Sequence, residues 1–482
     1  MRSIYKKKGI KFELSIALLL IIVMVPFNDL PIFSLKQYFG EFYSEGSFYA
    51  FLVCIVFVLI SFIKNKSIII PKNASVKFLM LFLIYNVICG LVNYSNIIAS
   101  YTKGRTGMQK YLGQIQIVIF CILISIVIYY ICRKSKLNFF KVRAFLLVSL
   151  SIVILYSFIE IPGLFGNAYA ISILEKINPI IHGANGHIMY LERLGSVSTE
   201  ASSISMYFIF IFPWIISYVF TSKHKSIYLI INIYLFVMIL LTKSRTGYVV
   251  ILIECIIFVY MLFKDVKKIK IKLILFILAF SMIMFGISLK NVKNDFSETS
   301  INNINITETL QSLNDSNNLS NIARFGSQKA ALRIGIKNPI FGIGIGQYGF
   351  YMPNYVDDKT MTSPEILSWM NNADGTTWPP VHGLFARIIC ENGFVGLVLW
   401  LVIWIYVLYK CISIVKRNDS DYFGISIITS IVGLLFLGFD SDSFRFMGYW
   451  ITLGIAWFYI YSNNVMNTVK RGECGDVQNI NS

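Results

Sequence analysis

The sequence predicts an all-α fold: a polytopic membrane helix bundle with about 12 transmembrane helices and one large extracytoplasmic loop. Hydrophobic residues make up 56% of the 482 positions and charged residues only 14%, so polar side chains are too few to cover a soluble particle of this size. The hydrophobic residues are also gathered in blocks. At about 1.5 Å of rise per residue, each block is long enough to cross roughly 30 Å of hydrocarbon as a helix.

Twelve such blocks follow one another along the chain. They lie near 12–27, 48–63, 76–93, 113–132, 144–160, 201–220, 226–241, 246–263, 271–289, 386–411, 423–439 and 444–462. This pattern predicts helices 1–9 within 1–289, a large outer loop at 290–385, helices 10–12 within 386–462 and a tail at 463–482. The basic and then apolar start is typical of a signal peptide. However, no small-x-small cleavage site follows Val25, so we interpret it as a retained first helix.

The distribution of Lys and Arg predicts the orientation of the helices. If the N-terminus is cytoplasmic, the basic clusters within 6–8, 133–143 and 264–272 all fall on the cytoplasmic side, and the short outer loops carry few basic residues. We therefore expect both termini in the cytoplasm. The formal net charge of +18 would suggest nucleic-acid binding in a soluble protein, but this bias explains it, so no nucleic-acid partner is predicted.

The cysteines, the paired aspartates and the histidines predict no metal site. The eight cysteines lie in predicted spans, at span ends or in the tail, with no C-x-x-C spacing. Asp419-Ser-Asp421 and Asp440-Ser-Asp442 match the D-x-D pattern of nucleotide-sugar transferases, but two aspartates one residue apart are common by chance. His182 and His187 lie five residues apart in a Gly/Asn stretch, a poor spacing for helical ligands. We predict no cofactor.

The large outer loop changes character along its length. Residues 291–321 are rich in Asn and Ser and are expected to be disordered. A helix is predicted over 321–337, with Ser320 as its N-cap. Its basic residues at positions i, i+4 and i+8 form one face, which is either a solvated surface or a substrate-binding one: Lys329, Arg333 and Lys337.

Two shorter outer segments bring charged side chains to the membrane surface. One contains Arg193 and ends at Glu200, at the mouth of the sixth span. The other is the tight turn Thr242-Lys-Ser-Arg-Thr-Gly247 between two spans, which holds Arg245 at the surface. A guanidinium group presents a planar fork of donors that suits phosphate oxygens. Simple snorkelling of the side chain at the interface is the alternative explanation for Arg245.

Two motifs near the C-terminal end of the loop carry a resemblance. The segment Pro339-Ile-Phe-Gly-Ile-Gly-Ile-Gly-Gln-Tyr348 and the later His382-Gly-Leu-Phe-Ala-Arg-Ile-Ile-Cys-Glu391-Asn-Gly-Phe-Val-Gly396 resemble the signature of the O-antigen ligase and polymerase superfamily. Ser244-Arg245-Thr-Gly247 and Arg324 agree with it in order and spacing. One departure stands out. The family usually carries Asn after the His, and here that position is Gly383.

The resemblance implies a fold similar to the GT-C transferases and glycosyl transfer from undecaprenyl-diphosphate-linked oligosaccharides at the outer leaflet of the bacterial cytoplasmic membrane. No nucleotide or metal is required by such chemistry. The leaving diphosphate gains negative charge, so fixed cations lower the barrier, and Arg245 and Arg324 are the candidates. His382 is the predicted base, with Glu200 as its rival. The predicted substrate-binding residues are Arg193, Lys329, Arg333, Arg387, Tyr348 and Trp378.

The predicted function is the polymerase of an O-antigen or capsule-type polysaccharide, joining repeat units on their lipid carrier. A ligase that moves glycan to lipid A core or another acceptor shares the same motifs, and only the length and the enlarged loop favour the polymerase. A transporter of lipid-linked oligosaccharide is a third reading. The implied partners are the undecaprenyl-diphosphate-linked oligosaccharide, membrane lipid and a chain-length regulator protein. Glu391 is expected to pair with Arg387, four residues before it.

Overall fold

The computed structural model describes residues 2–30, 42, 44–65, 69–182, 193–198, 200–262, 319–371, 378–418 and 421–470. Within these ranges the protein is almost entirely helical, with one antiparallel pair of two-residue strands, β1 (Tyr101–Thr102) and β2 (Arg105–Thr106). The helices are α1 (Arg2–Val23), α2 (Gly46–Asn65), α3 (Ala74–Val92), α4 (Tyr94–Ala99), α5 (Gly107–Lys134), α6 (Phe139–Leu164), α7 (Ala168–Ile181), α8 (Ala201–Thr221), α9 (Lys225–Leu241), α10 (Arg245–Leu262), α11 (Leu319–Lys337), α12 (Tyr348–Tyr351), α13 (Pro364–Met370), α14 (Leu384–Val415), α15 (Tyr422–Leu437) and α16 (Met447–Lys470).

The structure confirms the predicted polytopic helical membrane fold. Seven of the described helices are long and apolar enough to span a bilayer, and three shorter apolar helices accompany them. Eleven of the twelve predicted blocks coincide with helices, and the remaining one, near 271–289, lies outside the described residues. The connection before Glu200 contains α7, which the sequence analysis did not predict.

Local sequence explains where several helices begin. The side chain of Asn73 accepts a hydrogen bond from the amide of Val76 at the start of α3. At the start of α5, Thr106 and Gln109 form a capping box, in which each side chain satisfies the other's backbone amide. Asp421, part of the first D-x-D pattern, caps α15 through the amide of Gly424. This aspartate therefore has a structural role.

Helix α8 forms the centre of the bundle. Nearly all of its side chains are buried, and it packs against α6, α9, α10 and α15. The surrounding helices α2, α3, α6 and α10 instead expose large apolar side chains along one face. An apolar exterior around an apolar core is expected when lipid rather than water surrounds the bundle.

The segment 319–371 packs as a small second core at one end of the bundle. Helix α11 lies against α14, so closely that a Cβ added to Gly335 would come within 2.5 Å of Ile389 Cγ2. Buried side chains of α11, α12 and α13 fill this core, among them Ala330, Tyr348 and Ile366. The prediction of this helix is confirmed at its end, Lys337. It begins at Leu319, so the prediction of Ser320 as its N-cap is wrong.

The Gly-rich segment inserts its backbone between α5 and α14. Gly342, Gly344 and Gly346 all have positive φ, at 59°, 93° and 81°. A Cβ on Gly342 would lie 2.4 Å from the amide nitrogen of Asn392. Gly393 has φ 69° inside α14 and kinks this helix. At the kink, the backbone amide of Phe394 donates a hydrogen bond to the carbonyl oxygen of Pro339, at 2.8 Å. Glycine suits these positions, because it adopts positive φ without strain and lets two backbone segments pack closely.

Candidate functional site

The turn between α9 and α10 places Arg245 at one end of the bundle. This end, which we call the loop face, is formed by residues 193–198, 242–247, 319–371, 378–383 and 438–446. Arg193 fastens the turn, because its Nε and Nη2 donate to the carbonyl oxygens of Thr242 and Lys243 at 2.9 and 3.2 Å. Gly247 sets α10 against α8, since an added Cβ would lie 2.1 Å from Ser205 Oγ.

Arg324, in the second turn of α11, is held by Asp440 from the loop after α15. Its Nη1 donates to both carboxylate oxygens, at 3.0 and 3.1 Å. Thr246 Oγ1 donates to Asp440 Oδ2 at 2.5 Å, which ties the same carboxylate to the start of α10. Arg245 Nη1 in turn donates to Asn321 Oδ1 at 2.6 Å. These bonds join α10, α11 and the 440 loop at one point.

Three guanidinium groups therefore meet at the loop face, and we call Arg193, Arg245 and Arg324 the arginine cluster. The charges of Arg193, Arg324 and Asp440 all act on Arg245. Asp440 pairs with Arg324, and the two side chains are each about one third exposed, at 31% and 32%. Fixed, partly exposed guanidinium groups are suited to binding an anion with several oxygens.

The backbone of His382 is strained and held by its surroundings. His382 has φ 60°, a left-handed conformation that is rare for a residue with a side chain. Asp442 Oδ2 accepts from the amides of Val381 and His382 at 2.6 and 3.3 Å, and Gln328 Nε2 donates to the carbonyl oxygen of His382. Gly383 follows in an extended conformation, and a Cβ there would approach Gln328 Nε2 to 3.0 Å. In this chain Asp442 and Gln328 hold the backbone of the histidine.

The surroundings of the His382 imidazole favour its neutral form. Burial lowers its pKa, opposed by the nearby carboxylate of Asp442 and assisted by the positive charge of Arg324. The ring packs on Trp369, with centroids 5.3 Å apart. Nε2 is buried and has no hydrogen-bond partner within the described part of the chain. A neutral imidazole with a buried, unused nitrogen next to a cationic cluster has the properties of a general base.

Comparison with protein families identifies this part of the chain. Residues 230–401 match the family model described as O-Antigen ligase. The matched segment contains Arg245, Arg324 and His382. The match covers 172 of the 482 residues and is consistent with the O-antigen ligase and polymerase superfamily. It indicates a glycosyltransferase-like activity of the ligase or polymerase type in O-antigen assembly. A comparison with curated proteins finds no match.

Three residues of the site lie outside the matched segment. Arg193 and Asp440 lie outside the matched range, as does Asp442. Sequence reasoning missed the two aspartates, because it treated their D-x-D spacing only as a possible metal motif. The spacing of the two aspartates was a usable signal. In the structure, Asp440 holds Arg324 and Asp442 holds the backbone of His382.

Glu200, the rival base, lies at the start of α8. Its side chain is exposed and makes no cap hydrogen bond, and it accepts from Ser202 Oγ at 2.9 Å. Its charge acts on His382 and raises the pKa of that imidazole. The structure thus brings Glu200 near the predicted base, and its own catalytic role stays a prediction.

The predicted substrate-binding residues of α11 lie apart from the arginine cluster. Arg333 Nη1 donates to the carbonyl oxygen of Tyr355 at 2.9 Å, and Arg333 also pairs with Asp357. Lys329 is exposed, and its charge acts on Asp357. Bonds from Thr360 lower the pKa of Asp357, which keeps this carboxylate charged beside the basic face. The described contacts of these two basic residues are with the loop itself.

The remaining predicted residues line a cavity on the other side of the 440–443 segment. Arg387 donates from Nε to Glu391 at 3.0 Å, from Nη1 to the carbonyl oxygen of Asp442 at 2.9 Å and from Nη2 to Gln114 at 2.8 Å. The predicted pairing of Arg387 with Glu391 is confirmed. Tyr348 is buried and donates to the carbonyl oxygen of Ser327 at 3.0 Å. Together with Trp378, it lines the cavity.

Proposed function

We propose that this protein is the polymerase of an O-antigen or capsule-type polysaccharide. It transfers glycan from undecaprenyl diphosphate to a lipid-linked repeat unit, with the loop face on the outer side of the bacterial cytoplasmic membrane. One observation carries the proposal. The side chains of Arg193, Arg245 and Arg324 lie close together, and this cluster lies beside the imidazole of His382. Nε2 of that imidazole has no hydrogen-bond partner among the described residues.

The arginine cluster is suited to the leaving group. As the bond between the anomeric carbon and the diphosphate oxygen breaks, the electron pair stays with undecaprenyl diphosphate and its negative charge grows. Guanidinium donors that are already fixed in place stabilise this charge without reorganisation. Asp440 and Asn321 hold Arg324 and Arg245, so the orientation is set before the substrate binds.

His382 is suited to activate the acceptor. The acceptor oxygen forms the new bond to the anomeric carbon, and its proton passes to Nε2 of the imidazole, in the tautomer that carries its own proton on Nδ1. The lowered pKa keeps this nitrogen unprotonated near neutral pH. The reaction requires only the two lipid-linked glycans, and its products are the extended glycan and free undecaprenyl diphosphate.

The chain length and the extent of residues 290–385 favour a polymerase over a ligase. The two functions predict different intermediates in a producing strain that lacks the gene. Loss of a polymerase leaves single lipid-linked repeat units, whereas loss of a ligase leaves long polymer on the lipid carrier. The glycan extracted from that strain therefore distinguishes them by its length.

Complementation of the same strain tests the assigned residues. Arg245→Ala, Arg324→Ala and His382→Ala are each expected to lower the polymerisation rate about 100-fold or more, at equal membrane levels of protein. Arg417→Ala is the matched control, because Arg417 is exposed near the opposite end of α14. Normal chain lengths in the three site variants would remove the mechanism.

A further inference from the structure

A polar cavity lies behind the segment that carries His382 and is distinct from the arginine cluster. It has a volume of about 220 Å³ and lies between the start of α5, the Pro379-Pro380 segment and the 442–445 loop. Val381 and Asp442 line it, and Asp442 accepts hydrogen bonds from the amides of Val381 and His382. The cavity and the backbone of His382 are therefore connected through Asp442.

The side chains that line this cavity form a mixed set of donors and acceptors. Lys110, Arg387 and Arg445 bring positive charge, Glu391 and Asp442 bring carboxylates, and Gln114 brings an amide. Glu391 and Gln114 are 2% and 5% exposed, so these polar groups are built into the wall. Hydroxyl groups can donate to carboxylates and accept from cations, and a ring with several hydroxyls satisfies both kinds of partner.

The same set is less suited to a diphosphate than the arginine cluster is. Its three cations are accompanied by two carboxylates, Glu391 and Asp442, which repel a phosphate group. In the arginine cluster, the carboxylate of Asp440 accompanies the guanidinium groups of Arg193, Arg245 and Arg324. The more balanced charge of the cavity suits a neutral polar molecule.

Trp378 gives the cavity one flat apolar wall. Its indole is held from several sides: a Cβ on Gly349 would lie 2.5 Å from the ring, and the Phe350 ring meets it edge-on at a centroid distance of 5.0 Å. Lys110 Nζ lies 4.6 Å from the indole centroid. A fixed aromatic wall with several converging polar groups is the usual composition of a small-molecule site.

The size of the cavity suits a small ligand. A volume of about 220 Å³ is far more than the roughly 15 Å³ that one water molecule needs and is smaller than the roughly 300 Å³ at which sites for drug-sized ligands begin. The cavity is therefore large enough for a small polar molecule and too small for a whole oligosaccharide.

We propose that this cavity is a subsite for one sugar ring of the acceptor glycan. The inference rests on the proposed glycosyl transfer, because it names where one of the two substrates binds. Gln114, Glu391 and Lys110 bind the hydroxyl groups of the ring, and Trp378 covers it. The diphosphate of the donor occupies the arginine cluster on the other side of Asp440 and Asp442.

Binding of a lipid-free sugar tests the subsite separately from the reaction. The probe is the one-repeat oligosaccharide released by mild acid from the lipid-linked units of the gene-deletion strain. Its affinity for the full-length protein in nanodiscs is measured by calorimetry. Trp378→Ala and Lys110→Met are each expected to weaken binding about tenfold or more, and Trp378→Phe by less than about threefold. Arg245→Ala should leave binding unchanged, because the probe carries no diphosphate.

The outcomes separate the two proposals. If the wild type fails to lengthen glycan but binds the probe in a Trp378-dependent way, the polymerase is rejected, and the cavity stands as a sugar-binding site without the acceptor role. If chains lengthen normally but the probe does not bind, or binds equally to Trp378→Ala and Lys110→Met, the subsite is rejected. Thermal unfolding of each variant identifies a misfolded one, and the other of the two cavity variants then decides.

Discussion

Arg324 donates to both carboxylate oxygens of Asp440, at 3.0 and 3.1 Å, and this pair joins α11 to the loop that follows α15. Thr246 donates to the same carboxylate. One acidic side chain thus fixes a cation from the large loop against the start of a membrane helix. Because the pair is partly exposed, it contributes more to the orientation of Arg324 than to the stability of the protein.

Asp440→Asn keeps the shape of the side chain and removes its charge. We expect a fall of about tenfold in the polymerisation rate, because Arg324 loses a charge-assisted hydrogen bond and its fixed direction, while the cation itself remains. The rate is measured as repeat units added per minute by membranes of equal protein content. Asp358→Asn, the same change at an exposed residue of the loop face, is the control. Equal rates in both variants would contradict this role.

The rate should depend on the protonation of His382. Burial lowers the pKa of this imidazole below its ordinary value of about 6.5, so the neutral form persists at and above neutral pH. We expect a rate that is constant near pH 7 and above and that falls as the pH drops through the lowered pKa. Initial rates between about pH 5 and pH 8 test this. A rate that instead rises as the pH falls would show that the protonated form is active.

Gly247→Ala should displace Arg245 by pushing α10 away from α8. The added Cβ would lie 2.1 Å from Ser205 Oγ, and overpacking of this kind costs about 1–3 kcal/mol. We expect a lower midpoint of thermal unfolding and a lower polymerisation rate. The double variant Gly247→Ala/Ser205→Ala removes the clashing oxygen and should recover both properties. No recovery in the double variant would show that Gly247 is needed for another reason.

Arg387→Ala should destabilise the protein, because it leaves the carboxylate of Glu391 buried without its cation. Glu391 is 2% exposed, and breaking a buried pair from one side costs about 3–5 kcal/mol. The double variant Arg387→Met/Glu391→Met removes both charges and should be more stable than Arg387→Ala. The midpoints of thermal unfolding in detergent decide the order. If the double variant is the less stable of the two, the pair does not act as described.

The helices were predictable because a single physical signal specifies them. Each long apolar block must form its backbone hydrogen bonds within itself in lipid, so composition and length suffice to predict a helix. The pairing of Arg387 with Glu391 was predictable for the same local reason, since both lie on one helix four residues apart. Ser320 was misassigned because helix ends depend on weak, short-range preferences that packing overrides.

The site residues were predictable only as a set of motifs. Arg245, Arg324 and His382 were recognised through the resemblance, but their mutual contacts involve residues far apart along the chain. The D-x-D spacing of Asp440 and Asp442 can be seen in the sequence, but the residues that these two aspartates bind cannot. Side-chain pairs separated by more than 50 residues leave no periodic trace in one sequence, so nothing in the sequence connected these aspartates to Arg324 or His382.

The sequence by itself determined the membrane fold, the helices and the kinds of side chain available at the loop face, because hydrophobicity and helix geometry act over neighbouring residues. Only the tertiary structure decided which of these side chains meet. It brought three arginines together and paired Arg324 with Asp440, gave His382 a left-handed backbone held by Asp442, and formed the polar cavity beside Trp378. The physical reason is that charge and hydrogen bonding act through space, and folding sets those distances.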